Sequence, residues 1–384
     1  MNQIIATSAS AAAPSQQPSA SWQYVYGIVP TPELVTFDVS GVDGADDDVY
    51  TVPHGDLAAV VSRATRADYR GLTRPQVARS LVAHQRVVEA VMEEFPILPV
   101  KFGTVLPSEA TVHRLLQQGR NIFASALDRL AGQVQSEIVV LWDTPQVITE
   151  IAQEEAIVQL KAQLAAAAND GAASELLAKA RLAVGQMVFA SLQQRRTAIC
   201  DRVLPQLRAV ASDVAMNPLM DDSMVLNVAL LVKAGTAQTA EDGTDLDRLL
   251  EALDLEFEGR LTLRCVGPLP PYSFATVEIQ LPSFAVIDAA RQRLALEEVA
   301  TAGDIKRAYY RLASQLHPDH NSPGAETEGE MTALSQAYRL LMAYAQSQAA
   351  SAGPDDDTAS THFSQEAVEQ TLLLEIRRQD GADL

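Results

Sequence analysis

His317, Pro318 and Asp319 form the stretch of this 384-residue chain in which residue types and spacing most suggest chemistry. A histidine can exchange a proton near neutral pH, an aspartate can accept hydrogen bonds or pair with a cation, and a proline ends a helix. The triplet directly follows a segment with helical periodicity. It is consistent with three roles: a solvent-exposed turn, a fragment of a catalytic site, or a contact site for a partner protein.

Strong catalytic signatures are absent from the rest of the sequence. It contains no GxGxxG after a predicted strand and no GxxxxGK[ST], HExxH or GxSxG motif. His84 and His113 lie on predicted helices, where a lone histidine is usually a packing or hydrogen-bonding residue. The carboxylate runs at 43–48 and 354–357 are typical of solvated loops, because an acid/base pair needs a dry site. We therefore expect no catalytic residue, metal or cofactor.

Charge and hydropathy exclude further classes of function. The chain has 29 Lys and Arg against 49 Asp and Glu, a net charge of −20, and cations this scattered cannot follow a phosphate backbone. The N-terminus lacks the features of a signal peptide, and no run of about 18 apolar residues occurs. Cys200 and Cys265 have no CxxC spacing, so we expect two buried thiols. The sequence predicts a cytoplasmic protein without a nucleic-acid partner or a membrane span.

The hydrophobic patterns divide the chain into five regions. Residues 1–21 are Ala, Ser, Gln and Pro without an apolar period and predict a disordered leader. Residues 22–144 alternate as β-β-α-β-α-β, an N-terminal α+β domain. Residues 145–285 predict a second α+β domain with long helices. Residues 286–347 predict a purely helical unit, and residues 348–384 an acidic linker with a terminal amphipathic helix.

The fold class expected from these patterns is α+β. It comprises two small α/β domains of ferredoxin-like type with a helical insertion, followed by an all-α unit.

Four stretches resemble the GvpL/GvpF family of gas vesicle proteins. They are YVYGIV, LVAHQRVVEAVMEEFPILPVKFGTV, LLQQGRNIFASALDRLAGQVQSEIVVLWD and GRLTLRCVGPLPPYSFATVEI. The resemblance covers about residues 22–281, in order and without a large gap. It implies a non-enzymatic accessory or minor component of gas vesicles, located with them in the cytoplasm. It also implies partners among the gas vesicle proteins, chiefly the hydrophobic main shell protein.

Prolines and a glycine within these stretches favour a structural role. Pro99 and Gly103 indicate a kinked sheet edge or a contact between domains. The prolines of GPLPPYSF predict a rigid corner that presents Tyr272 and Phe274. That corner is either packing between domains or a recognition surface for an apolar partner, such as the shell protein.

The segments DIKRAYYRLASQLHPDHN and MTALSQAYRLLMAYA resemble helices II and III of a J-domain with its HPD loop. Helical spacing places one apolar face on each segment, which predicts an antiparallel helix pair. The members of these faces are Ile305, Ala308, Tyr309, Leu312, Ala313 and Leu316 in the first segment and Leu334, Ala337, Tyr338 and Leu341 in the second.

The opposite face of the first segment carries a small basic patch, Lys306, Arg307 and Arg311. The J-domain resemblance implies that this patch and the HPD triplet dock onto a DnaK-type chaperone and trigger its ATP hydrolysis. However, the segment IDAARQRLALEEV, where the first J-domain helix would lie, lacks the usual aromatic-leucine-glycine signature. A J-like fold that no longer docks a chaperone is therefore an open alternative.

Together these patterns predict a gas vesicle accessory or minor structural protein that acts in gas vesicle assembly and is not an enzyme. The alternative is a J-domain co-chaperone that stimulates a DnaK-type chaperone through its HPD loop.

Overall fold

The computed structural model describes residues 22–44, 48–66, 68–69, 71–169, 174–236, 245–316, 325–352 and 360–378. The predicted leader, residues 1–21, lies outside the described residues. So does the HPD triplet at 317–319.

The first sheet is antiparallel, with the strand order β2-β3-β4-β1-β5 and with β6 also paired to β1. Its elements are β1 (Trp22–Val29), β2 (Thr36–Ser40), β3 (Asp48–His54), β4 (Leu57–Ala64), α1 (Arg74–Glu94), β5 (Leu98–Pro99), β6 (Val105–Leu106) and α2 (Glu109–Leu130). Pro99 lies at the edge of the sheet and Gly103 has a φ of +82°. These positions match the kinked edge expected from the sequence.

Alternation along the strands decides which helix covers which face of this sheet. In β4, Leu57, Ala59 and Val61 share a core with α2, whereas Ala58 and Val60 share another core with α1. Ser108 caps α2 by accepting a hydrogen bond from the Thr111 N–H at 3.3 Å. The two helices therefore lie on opposite faces, unlike a ferredoxin-like arrangement, in which both helices cover one face.

The second sheet has the order β10-β7-β9-β8 and is also antiparallel. Its elements and those around it are β7 (Gln133–Trp142), α3 (Thr144–Ile151), α4 (Glu155–Asn169), α5 (Ser174–Val210), β8 (Asp213–Met216), β9 (Met224–Lys233), α6 (Asp245–Glu256) and β10 (Leu261–Leu269). At 1.5 Å per residue, the 37 residues of α5 extend about 55 Å. The expected α+β class is confirmed, and this sheet, with α5 and α6 in one core on one face, has the ferredoxin-like arrangement that the sequence predicted.

The strand β7 belongs to the second sheet, although the sequence predicted a domain boundary after it, at residue 144. We expected β7 to close the N-terminal domain, but it pairs with β9 and β10 in the second sheet. Ile138 and Val140 of β7 are fully buried in a core that they share with Val203 and Leu207 of α5. Alternation predicted the strand correctly, but alternation does not specify which strand is the neighbour.

A third packed region joins the two sheets. Leu115 and Leu116 of α2 belong to the same core as Ala229 and Leu231 of β9. The strand β11 (Thr276–Gln280) continues this region, because Val100 bridges Val277 in parallel and the Lys101 N–H donates to the Val277 carbonyl at 2.9 Å. We call β1 through β11 with their helices the body of the protein.

The region after β11 is helical only in part. It contains α7 (Phe284–Arg293), β12 (Val299–Thr301), α8 (Ala302–Leu316), α9 (Ala325–Ala352), β13 (Ser360–His362), α10 (Gln365–Gln370) and β14 (Leu373–Arg377). We call α7, β12, α8 and α9 the J-like unit. Two expectations are corrected here: β12 lies within the region expected to be purely helical and pairs with β13, which lies in the segment expected to be a linker, and β14, expected to belong to a terminal helix, pairs with β11. Alternate apolar side chains in LLLEIR fit a strand that has a partner.

An aromatic cluster surrounds His84 where α1 meets β1 and the corner before β11. Tyr24 Oη lies within hydrogen-bond distance of His84 Nδ1, at 3.0 Å, and accepts a hydrogen bond from the Gly103 N–H at 2.9 Å. The rings of Tyr26 and Tyr272 lie 5.5 and 6.4 Å from the imidazole. His84 is 1% exposed. Among the described residues, neither His84 Nε2 nor the Tyr272 hydroxyl has a hydrogen-bond partner.

This cluster makes the stability of the body depend on pH. Burial lowers the pKa of His84 from 6.5 to about 4, so the unfolded chain binds a proton in that range and the folded chain does not. We expect the free energy of unfolding to fall by about 3 kcal/mol between pH 6.5 and pH 4 from this group. Thermal or urea unfolding of the wild type and of His84→Phe across this range measures the effect. Identical pH profiles for the two proteins would contradict it.

Candidate partner-binding surfaces

The J-like unit has its own apolar core, formed where α8 packs on α9. Ile305 of α8 and Leu341 of α9 are fully buried in it, and the rings of Tyr309 and Tyr338 stack with centroids 4.3 Å apart. Ile287 of α7 is buried in the same core. The faces predicted from helical spacing are thus the faces that meet. Leu312 is half-buried.

A pair of reciprocal hydrogen bonds fixes the start of α8. The Thr301 N–H and hydroxyl both donate to Asp304 Oδ2, at 2.9 and 2.7 Å, and the Asp304 N–H donates back to the Thr301 hydroxyl at 3.1 Å. This is the arrangement of a capping box. The Thr301 backbone N–H, its hydroxyl and the Arg307 guanidinium together lower the pKa of Asp304 to about 2.

The outward face of α8 carries the predicted basic patch. Arg307 and Arg311 are exposed and Lys306 is half-exposed, so the structure brings these three cations to one face. Arg307 also pairs with Asp304 one turn earlier, which reduces the positive charge that the patch presents. Tyr310, four residues after Lys306 and three after Arg307, is 67% exposed. Sequence reasoning missed Tyr310, although its spacing from Lys306 and Arg307 places it on this face.

His317, Pro318 and Asp319 lie outside the described residues. They follow Leu316, the last residue of α8, directly in the sequence.

The corner that was expected to present Tyr272 and Phe274 packs inward. Phe274 is 8% exposed in the core that joins the two sheets, and the guanidinium of Arg378 lies 6.0 Å from its ring centroid. Tyr272 is half-buried against the aromatic cluster around His84. Of the two roles that the sequence left open, packing between domains matches these contacts, and a shell-protein contact at these rings stays a prediction.

Exposed apolar side chains occur instead on α5. Leu182 and Phe189 are 64% and 59% exposed. A separation of seven residues places them on one face of the helix, two turns apart. The sequence predicted long helices in this region but did not indicate that these two side chains stay exposed.

A cleft of about 280 Å³ opens beside the middle of α5, at Arg195 and Ile199. Its apolar lining consists of Trp142, Val147, Ile199, Phe257 and Leu261. Arg195 lies at its polar edge, where the guanidinium pairs with Glu150 at 2.7 Å and with Glu154 at 2.9 Å. The Ser191 hydroxyl and then Arg195 lower the pKa of Glu154. This cleft can hold an apolar side chain of a partner beside a fixed ion pair.

The cysteines, the candidate metal ligands and the hydropathy of the helices were also considered in the sequence-based predictions. Cys200 is buried as expected, but Cys265 is exposed because it lies on β10, the edge strand of the second sheet. The described residues contain no group of three or more His, Cys, Asp or Glu side chains that could hold a metal ion. In the described parts of the chain, each helix is too short or too polar to serve as a membrane span.

Comparison with known proteins divides the chain in the same way as the structure. The family described as gas vesicle synthesis protein GvpL/GvpF matches residues 23–276, and the DnaJ domain matches residues 292–349. Gas vesicle protein L1 of Halobacterium salinarum is 30% identical over 261 residues, which are 66% of this chain and 90% of that protein. Gas vesicle protein F of a Nostoc species is 24% identical over 67% of this chain and 99% of that protein.

A solved structure is similar in fold. The crystal structure of the gas vesicle protein GvpF from an Anabaena species covers 66% of this chain and 94% of its own, with a TM-score of 0.51 and 23% identity. The similarity supports the α+β architecture of the body.

The packing of α8 on α9 makes a prediction about stability. Leu341→Ala removes a fully buried side chain and should lower the free energy of unfolding of the J-like unit by about 2–5 kcal/mol. Arg311→Ala, on the exposed face, is the matched control and should change it by less than about 0.5 kcal/mol. Hydrogen exchange of the α8 and α9 amides reports both effects locally. Similar small changes in the two variants would show that the helix pair does not form this core.

Proposed function

Because the chain belongs to the gas vesicle GvpL/GvpF family, we propose that it acts in gas vesicle assembly in the cytoplasm by binding the main shell protein. The family match spans the body and ends before the J-like unit. The proposal therefore assigns shell-protein binding to the body.

The observation that carries this assignment is the apolar surface along α5. A hydrophobic shell subunit needs an apolar surface on any protein that binds it before assembly. Leu182 and Phe189 offer exposed apolar area, and the cleft beside Ile199 offers a concave apolar site. Phe274 is 8% exposed, so we assign the contact to α5 rather than to the corner that contains it.

A second proposal concerns the DnaJ domain. We propose that it recruits a DnaK-type chaperone to the shell protein held by the body. The support is the outward face of α8, where Arg307, Tyr310 and Arg311 are exposed in the full chain. In this proposal the shell protein is the client, and the chaperone keeps it from aggregating.

Shell-protein binding is tested with two exposed substitutions on α5. Leu182→Asp and Phe189→Asp should each weaken capture of the purified shell protein about tenfold or more, because a charge replaces apolar contact area. Leu34→Asp is the matched control, since Leu34 is 70% exposed on the loop between β1 and β2. All three variants should keep the wild-type melting temperature. Unchanged capture by both α5 variants, or equal loss in the control, would refute the assignment to α5.

Chaperone docking is tested by the ATPase rate of a DnaK-type protein. The full chain should raise the rate, and His317→Gln or Asp319→Asn should abolish the stimulation. Lys306→Ala and Arg311→Ala should reduce it more gently and in a salt-dependent way, because exposed charges chiefly accelerate encounter. Lys161→Ala, on α4 of the body, serves as the control for loss of a single positive charge. No stimulation by the wild type, with a known J-protein active in the same assay, would exclude this second proposal.

A further inference from the structure

The C-terminal strand β14 returns to the body after the J-like unit and is bound there by its main chain. Its residues pair antiparallel with β11 in the register Arg377–Thr276, Ile376–Val277, Glu375–Glu278, Leu374–Ile279 and Leu373–Gln280. The strand belongs to neither matched region, since the family match ends at residue 276 and the DnaJ match at residue 349.

Side chains at alternate positions of this segment contact the body. Leu372 is 1% exposed in the core that joins the two sheets, and Leu374 and Ile376 pack against that same core. Because side chains two residues apart point to the same side of an extended segment, Arg378 lies on this side as well. Its guanidinium donates to Asp213 Oδ1 and to the Val214 carbonyl, both at 2.8 Å. Three apolar residues and one arginine therefore face the body in a regular pattern.

A side chain of α2 also binds the main chain of this segment. Gln118 Nε2 donates to the Gln370 carbonyl at 3.1 Å, and Gln118 Oε1 accepts from the Leu372 N–H at 3.1 Å. One amide group thus satisfies a donor and an acceptor at the point where the strand begins. Main-chain pairing combined with contacts at alternate side chains is the way in which proteins bind extended peptides by strand addition.

We propose that the body carries a peptide-binding surface, formed by the edge of β11, Gln118, Phe274 and Asp213, that recognises an extended segment with apolar residues at three alternate positions followed by arginine. We call it the acceptor surface. Its ligand in this protein is the chain's own segment 372–378.

Bound in this way, the segment attaches the J-like unit to the body at a second point. The unit leaves the body through α7, which begins at Phe284 shortly after β11, and its chain returns through β14. Leu373 points to the opposite side from Leu372 and belongs to the core of the J-like unit, together with Phe363 and Val368. One side of this segment therefore packs in the core of the body, and the other side packs in the core of the J-like unit. By holding the segment, the acceptor surface fixes the orientation of the J-like unit on the body.

The experiment separates the ligand segment from the folded full-length protein. A specific protease site replaces residues 353–359, the folded protein is cleaved there, and the two pieces are analysed by gel filtration. The fragment 360–384 should remain bound to the remainder of the chain. A fluorescent peptide of residues 360–384 should bind after the fragment is removed or exchanged, and unlabelled variants of that peptide then compete with it.

The variants test the alternating pattern without altering the host protein. Peptides with Leu374→Asp or Arg378→Glu should compete about tenfold or more weakly, because each loses a contact to the body. The peptide with Glu375→Gln is the matched control and should compete like the wild type, since Glu375 is exposed on the other side of the strand. The same substitutions made in the full chain before cleavage should give the same order of fragment retention.

Loss of the wild-type fragment on gel filtration, together with no binding of the labelled peptide, would overturn the proposal. Equal competition by the control and the two body-facing variants would also overturn it, because the surface would then not read alternate positions. Neither outcome depends on whether the shell protein binds α5 or a chaperone binds α8.

Discussion

The rest of the structure depends on one contact. In it, α2 is buried between the first sheet and the strand β9 of the second sheet. Its apolar face, with Leu115 and Leu116 at the centre, shares one core with β1, β4 and β9. Removal of this surface from water is the largest favourable contribution available to join two sheets that exchange no regular strand pairing. The same core accepts Val277 of β11 and Leu372 beside β14, so it also determines where the C-terminal segment binds.

Two regions that match different families thus form one continuous structure. The J-like unit has a separate core around Ile305 and Leu341, yet Leu373 in that core and Leu372 in the core of the body are adjacent residues. A strand can connect two cores in this way because successive side chains point to opposite sides. The exposed face of α8 therefore belongs to a unit that is joined to the body by the chain before α7 and by the pairing of β14 with β11. In the function proposed above, such an arrangement brings client and chaperone together.

Arginines on the body, on the J-like unit and on the C-terminal segment form local ion pairs with neighbouring carboxylates. The chain has a net charge of −20, so a basic face on α8 is a distinct feature of its surface, and Asp304 limits its strength by pairing with Arg307. In the body, Arg195 holds two glutamates at the edge of the cleft, and Arg378 bonds Asp213 at the end of the C-terminal segment. Partly exposed ion pairs of this kind contribute little to the free energy of unfolding, so they add local contacts rather than stability.

The sequence by itself determined which segments are strands or helices, because periods of two and 3.6 are local properties that a single chain displays. It therefore gave the α+β class, the apolar faces of α8 and α9, and the basic patch of Lys306, Arg307 and Arg311, and the resemblance of its motifs identified both families. It could not assign β7 to the second sheet, place Phe274 inside the core, or distinguish β14 from a helix. Each of these depends on a partner that is distant in the sequence: β9 for β7, Arg378 and the joined sheets for Phe274, and β11 for β14. Only the tertiary structure supplies such partners, because pairing and burial between distant segments are decided by the free energy of the whole fold rather than by local pattern.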